Sequence, residues 1–342
     1  MGDGLAKYPT DFTRDILPIP CHSHNDYWRR VPLFEAIHFG CTGVEADVWI
    51  FDQELYVGHD TASLHPNRTL RSLYVNPILT ILDKQNPHSK FNNHSITGTS
   101  AGVFDEDPSQ TLVLLIDFKN DGRLIFPYVQ EHLSALREKN YLTYFNGNET
   151  INGPVTVVAT GNAPFDLLTV NQTYRDIFFD APLDKIWEAP SNEAPSDSDS
   201  SAQLAQLYKA ADSGLTSKKW RLWRRNAGQG NEGTSEESVF DSTNSYYASV
   251  SFKKTIGHKF RGRLSEQQVD LIRGQIQGAK KRGLKARYWS TPKWPISLRN
   301  HVWETLISEG ADYLNVDDLR GAARTDWTKN RHGDYYGRKR TL

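Results

Sequence analysis

Short apolar runs that alternate with polar residues recur along this chain, and longer runs with helical spacing separate them. Strand-like segments lie at 17–22, 43–50, 111–118, 154–160, 176–180, 246–252, 285–290 and 312–316. Helical spacing of apolar residues is clearest at 122–139, 265–282 and 296–309. Eight strands with helices between them predict an α/β fold, a (β/α)8 TIM barrel. An open doubly wound sheet is the runner-up, but no G-x-G-x-x-G turn follows the first strand. The whole chain, 1–342, is expected to form one barrel domain with long loops after strands 2 and 5. The first is a polar insertion at 61–110. The second, 183–245, carries "APSDSDSSA" and "AGQGNEGTSEES", compositions that cannot bury a core.

Alternate residues of a barrel strand point inward, and the strands' C-terminal ends form the mouth where chemistry takes place. In "GVEADVWI", Val44, Ala46 and Val48 suit the helix layer, which turns Glu45 and Asp47 inward. The same parity places Asp117 and Lys119 opposite Ile116 and Phe118, and Thr160 and Asn162 opposite Ala159. It sets Ser249 and Ser251 against Ala248 and Val250, Arg287 and Trp289 against Ala286 and Tyr288, and Asn315 and Asp317 against Leu314 and Val316. One inward Asp is commonly a cap or an ion-pair partner. Polar ends on six strands describe a lined cavity, with Asn25, Ser249, Arg287, Trp289 and Asn315 expected to contact substrate.

Glu45, Asp47 and Asp117 would converge in a poorly solvated mouth, where like charges raise one another's pKa unless a cation is present. An all-oxygen ligand set suits Mg²⁺, with Ca²⁺ as the other hard ion. The plain alternative is that Asp117 pairs with Lys119 or Arg287 and no metal binds. "CHSHNDYW" then places His22 and His24 at the mouth, and "YVGHD" returns His59 beside strand 2 after the turn at Asp52 and Gln53. Two imidazoles flanking such a centre can serve as general base and general acid near neutral pH. Asn25 and Asp26 are read as caps of the helix that follows, and Asp60 as a local hydrogen-bonding residue.

With 38% hydrophobic and 24% charged residues the chain has ample core, and its net charge of −1 offers no basic excess for nucleic acid. No apolar run approaches the roughly 20 residues of a membrane span, and "MGDGLAKYPTDF" lacks a signal-peptide core. A monomer is expected. The two cysteines, Cys21 and Cys41, are expected at opposite ends of the sheet, as buried free thiols beyond the roughly 7 Å limit for a bridge. Four Asn-x-Ser/Thr sequons, at Asn67, Asn93, Asn148 and Asn171, tilt the location toward secretion or a secretory lumen, with the cytoplasm as the alternative. "KKWRLWRRN", 218–226, could dock on an anionic lipid surface or a phosphate; the favoured reading is an amphipathic turn with its cations in water.

The linked motifs "HSHND", "GVEADVWIFDQELYVGHD" and "LLIDFK" resemble the PLC-like phosphodiesterase superfamily, which includes glycerophosphodiester phosphodiesterases and sphingomyelinase D. With "RYW" and "LNVDDL" added, the chain is similar over about 17–320 to the fungal altered inheritance of mitochondria protein 6 group. The resemblance implies Glu45, Asp47 and Asp117 as Mg²⁺ ligands, a strand-1 histidine with His59 as the acid–base pair, and Lys119 as a phosphate contact. It implies a substrate role for Trp289. The His-Arg-Gly opening of glycerophosphodiesterases is absent. A His followed three residues later by Asn favours His22, whereas spacing to Glu45 favours His24; both stay open, His22 preferred.

The expected function is metal-dependent cleavage of a phosphodiester, from a (lyso)phospholipid, sphingolipid or glycerophosphodiester, either by direct hydrolysis or by way of a cyclic phosphate. Two competitors remain. A non-catalytic barrel binding a metal or lipid headgroup would share the fold. A glycosidase needs two free carboxylates flanking its bond, and few remain outside the proposed cluster.

Overall fold

The computed structural model describes residues 12–87, 100–188, 231–257 and 263–329. The "KKWRLWRRN" segment and Asn93 lie outside the described residues. The eight anticipated strands are present: β1 (Ile19–Ser23), β2 (Cys41–Phe51), β4 (Leu112–Phe118), β7 (Val155–Gly161), β8 (Ile177–Pro182), β9 (Ser245–Ser251), β10 (Lys285–Trp289) and β11 (Tyr313–Val316). They pair in parallel in the order β1-β11-β10-β9-β8-β7-β4-β2, and β1 pairs with β2, so the sheet closes into a barrel. A ninth strand, β3 (Glu54–Val57), folds back antiparallel on β2 after the turn at Asp52 and Gln53, both at positive φ. A small hairpin, β5 (Tyr144–Phe145) and β6 (Thr150–Ile151), precedes β7.

Strand parity divides the apolar residues into two cores. Val44, Ala46, Val48, Leu114, Ile116, Val157 and Ala159 face outward into the large core beneath the helices. Val113, Leu115, Val158, Tyr247 and Tyr313 form a separate cluster inside the barrel. That inner cluster fills the barrel below the mouth, as a packed interior requires.

Helices follow most strands. Glu266–Lys281 opens with a capping box in which Ser265 accepts the Gln268 amide and Gln268 returns the bond. The run at 122–139 divides into Gly122–His132 and Ser134–Glu138, and Pro127 lies inside the first. The segment after β3 holds more order than a polar insertion. Asn76–Gln85 is a helix burying Ile78, Ile81, Leu82 and Gln85, a spacing that lays one face on the barrel.

The cysteines differ from expectation: Cys21 and Cys41 form a disulfide, with Cα atoms 4.7 Å apart. Cys21 is the middle residue of β1 rather than its end, and β2 begins at Cys41, opposite Ile19. A register shift between Ile19 and His22 brings the two side chains to one height on adjacent strands. The bridge spans a sequence separation of 20, a loop closure worth about 3 kcal/mol. Cys21→Ser with Cys41→Ser should lower the unfolding free energy by roughly that amount in urea titration. The parent in reducing buffer should match the variant.

Candidate active site

Parallel registration sets Asp47 directly beside Asp117, with Glu45 one inward position lower on β2. One oxygen from each of these three buried carboxylates lies within 4.8 Å of the other two. Lys119 Nζ bridges the upper pair, 2.9 Å from Asp47 Oδ2 and 2.6 Å from Asp117 Oδ2. Burial raises the Asp117 pKa, Lys119 offsets part of that, and the Asp47 charge adds to it. The ammonium of Lys119 is itself held protonated: burial opposes its charge, but the two aspartates outweigh that penalty. Gly161, at φ +69°, lies against Asp117, and a Cβ there would collide with Asp117 Oδ1.

Beneath the carboxylates lies an arginine-centred network. Arg287 reaches Glu45 Oε2 at 3.3 Å and Asp180 Oδ2 at 3.6 Å. It also donates to Asn315 Oδ1 at 3.0 Å and Ser249 Oγ at 3.1 Å. Arg287, Ser249 and Asn315 are all buried, so in this conformation they compensate charge below the mouth rather than face solvent. Asp180 escaped the sequence reading, although Phe178 and Asp180 obey the same inward parity as the other strands. Burial pushes its pKa up from the ordinary 3.8 to about 6, against the pull of Arg287.

A carboxylate raised in the folded state favours folding below its unfolded pKa, and that contribution is lost as pH rises through about 6. Asp180→Asn should therefore gain melting temperature over the parent at pH 8, with the gain shrinking toward pH 4.5. Thermal scans at the two pH values check the sign.

The histidines occupy three different settings. His22 is wholly buried in the layer of Gly43 and Asn315, with Nδ1 3.2 Å from the Tyr247 hydroxyl. Its Nε2 makes no hydrogen bond and lies 3.8 Å from Glu45 Oε2. Burial, then the Arg287 charge, lowers its pKa well below the usual value, so it is a neutral imidazole. His24 stands one inward position higher, and its side chain is 25% exposed. Its Nδ1 lies 2.7 Å from Asp317 Oδ1, and Lys293 Nζ sits 2.7 Å from Asp317 Oδ2. Burial works against its protonation, but Glu45 and Asp317 together raise its pKa. His59 is 52% exposed, with Nδ1 3.6 Å from Asp47 Oδ2, and the Asp47 interaction raises its pKa.

Other groups hold these positions. The Tyr27 hydroxyl donates to Asp47 Oδ2 at 2.7 Å, and Arg68 binds the Tyr27 carbonyl oxygen. Arg29 donates to the carbonyl oxygens of Asp317 and Val316, tying the β1 loop to the end of β11. Asn25 is buried at positive φ and leads into the short turn Asp26–Trp28, but its side chain caps nothing. Asp26 instead accepts from Ser23, the Leu33 amide and Tyr74. Asp60 caps the turn Thr61–Ser63. Trp289 is half-buried, its indole N–H without a hydrogen bond. Asn162 turns away from the cluster to bind the carbonyl oxygens of Lys119 and Asn120, whereas Thr160 donates to Asp180.

A hard cation fits this centre on two counts. Asp47 Oδ1 is buried and makes no hydrogen bond, which leaves a costly acceptor for a ligand to satisfy. Four buried carboxylates, Glu45, Asp47, Asp117 and Asp180, share two permanent cations, Lys119 and Arg287, with His59 beside Asp47. Glu45, Asp47 and Asp117 are the residues that would hold it.

A family model described as an AIM6-like phosphodiesterase domain matches residues 10–180. The altered inheritance of mitochondria protein 6 homolog of Arthroderma benhamiae is 38% identical over 93% of this chain and 87% of its own length. The chain belongs to the altered inheritance of mitochondria protein 6 family. The Kluyveromyces lactis member is 32% identical over 94% of this chain and 76% of its own length. The Saccharomyces cerevisiae member is 32% identical over 90% and 70%. No solved structure matches the chain. The matched segment, 10–180, includes β1, β2, β4 and both mouth histidines, so the phosphodiesterase family signal and the acidic centre coincide. Among the described residues no helix is long and apolar enough to cross a membrane.

Proposed function

We propose that this family member cleaves phosphodiesters of the (lyso)phospholipid, sphingolipid or glycerophosphodiester type, with Mg²⁺, or Ca²⁺ in its place, held by Glu45, Asp47 and Asp117. The observation that carries the reading is the convergence of three carboxylate oxygens within 4.8 Å beneath two partly open imidazoles. A bound divalent cation would neutralise phosphate charge as it builds. The remaining work falls to side chains of the chain.

Asp317 accepts the Nδ1 proton of His24, which fixes the ring and leaves Nε2 as the nitrogen free to exchange a proton. His59 stands on the opposite flank, its Nδ1 3.6 Å from Asp47 Oδ2 and its ring packed against Trp28 at 5.1 Å. One imidazole takes the proton of the attacking hydroxyl, whether from water or from the substrate itself. The other protonates the leaving oxygen. Lys119 adds fixed positive charge where the phosphate gathers negative charge. Of the two strand-1 histidines the geometry favours His24 for this work, because His22 has no exposed surface. His22 would support Glu45 from below.

A second reading has one observation in its favour: Lys119 already pairs with both Asp47 and Asp117, as it would in a barrel that binds no metal. Phosphorus NMR over the three lipid phosphodiester classes, with and without EDTA, separates the two. Turnover of at least one class that stops with EDTA is expected. No turnover of any, with no heat of Mg²⁺ or Ca²⁺ binding by calorimetry, would favour the inert barrel.

A further inference from the structure

Two features have no part in the proposed chemistry: the disulfide and the sequons. The disulfide joins β1 to β2 in the buried core, and such bridges form and persist in oxidising compartments. Three of the four sequons fall among the described residues, at Asn67, Asn148 and Asn171, and all three asparagines are exposed.

Asn148 and Asn171 belong to one surface. Asn148 lies at the tip of the β5–β6 hairpin, where 146–149 are all exposed and the Asn146 side-chain oxygen accepts the amides of Asn148 and Glu149. Asn171 lies six residues before β8, and its Oδ1 accepts the Thr173 amide at 2.9 Å and the Thr173 hydroxyl at 3.0 Å. That turn uses the oxygen of the carboxamide and leaves Nδ2 outward in a solvent-exposed loop. The two loops abut: Phe145 and Arg175 exchange backbone hydrogen bonds, and a Cβ on Gly147 would meet the Thr173 backbone at 3.3 Å. Both loops stand at the N-terminal ends of β7 and β8. The acidic centre is at the C-terminal ends, so a bulky group on either asparagine leaves the mouth uncovered.

We infer that Asn148 and Asn171 are N-glycosylation sites on the face of the barrel opposite the candidate active site, in a chain that folds with an oxidised Cys21–Cys41 bridge. In the modification, asparagine Nδ2 bonds to the anomeric carbon of an oligosaccharide as the bond from that carbon to a lipid diphosphate breaks. The amide gives up one proton and the lipid diphosphate departs.

The test is peptide mapping of the protein purified from its native cells. Digestion without reduction, followed by peptide-N-glycosidase in heavy-oxygen water, converts each glycosylated Asn to a mass-tagged Asp. The expected result is tagged Asp at both position 148 and position 171, with the Cys21 and Cys41 peptides linked. An untagged peptide at either position would overturn the inference. Alkylation of Cys21 and Cys41 as free thiols would overturn it equally. Neither outcome bears on the phosphodiesterase reading, which NMR tests separately.

Discussion

Glu45→Gln with Asp47→Asn is expected to reduce kcat/KM for a phosphodiester by about a thousandfold or more, the scale of losing several kcal/mol of charge stabilisation. The two changes keep size and hydrogen-bonding capacity while removing two of the three carboxylates that converge within 4.8 Å. The fold should survive, because both side chains face inward from a strand whose outward residues supply the core. Melting temperature should stay level or rise, since each substitution removes a buried charge from a cluster with more carboxylates than cations. Steady-state kinetics alongside a thermal scan checks both halves. Activity kept within tenfold of the parent would show that the carboxylates do not carry the chemistry.

The second large effect concerns His24 and its partner. His24→Asn should lower kcat by about 10²- to 10⁴-fold, the usual contribution of one positioned proton-transfer group. Asp317→Asn should cost less and leave a distinct trace. Asp317 helps to raise the His24 pKa, so replacing it should shift the limb of the pH–rate profile governed by His24 to lower pH. It also replaces a charged, acceptor-only partner of the Nδ1 proton by a weaker one that can present its NH2 instead, so kcat should fall more than KM changes. His22→Asn offers the contrast. A neutral, wholly buried imidazole beside Glu45 should affect stability and cation affinity before it affects proton transfer. If His22→Asn abolishes turnover and His24→Asn does not, the two roles are exchanged.

Much of this was legible because inward and outward positions obey one rule. The alternation in "GVEADVWI" and "TLVLLIDF" gave the strands and turned Glu45, Asp47 and Asp117 toward one another, and the barrel's closed registration places Asp47 opposite Asp117. Where the pattern is less regular, residue types alone do not reveal the structure. Asp180 is the fourth residue of an almost wholly apolar strand, "IFFDAP", and an aspartate just before Ala-Pro reads as a turn residue. The helix Asn76–Gln85 was hidden by the polar residues around it, although Ile78, Ile81 and Leu82 carry helical spacing.

The disulfide depended on a register shift in β1. No pattern of residue types encodes a shift of that kind, because it comes from how two strands settle against each other. The same limit explains the histidines: His22 and His24 have the same parity, and only their height on the barrel axis separates a buried ring from a half-open one.

The most direct measurement is anomalous diffraction from crystals grown with Mn²⁺ as a stand-in for Mg²⁺. The account predicts one strong peak bonded to oxygens of Glu45, Asp47 and Asp117, with the Lys119 ammonium displaced from between the two aspartates. Crystals of well-ordered protein that show no peak there, and Lys119 still bridging Asp47 and Asp117, would contradict it.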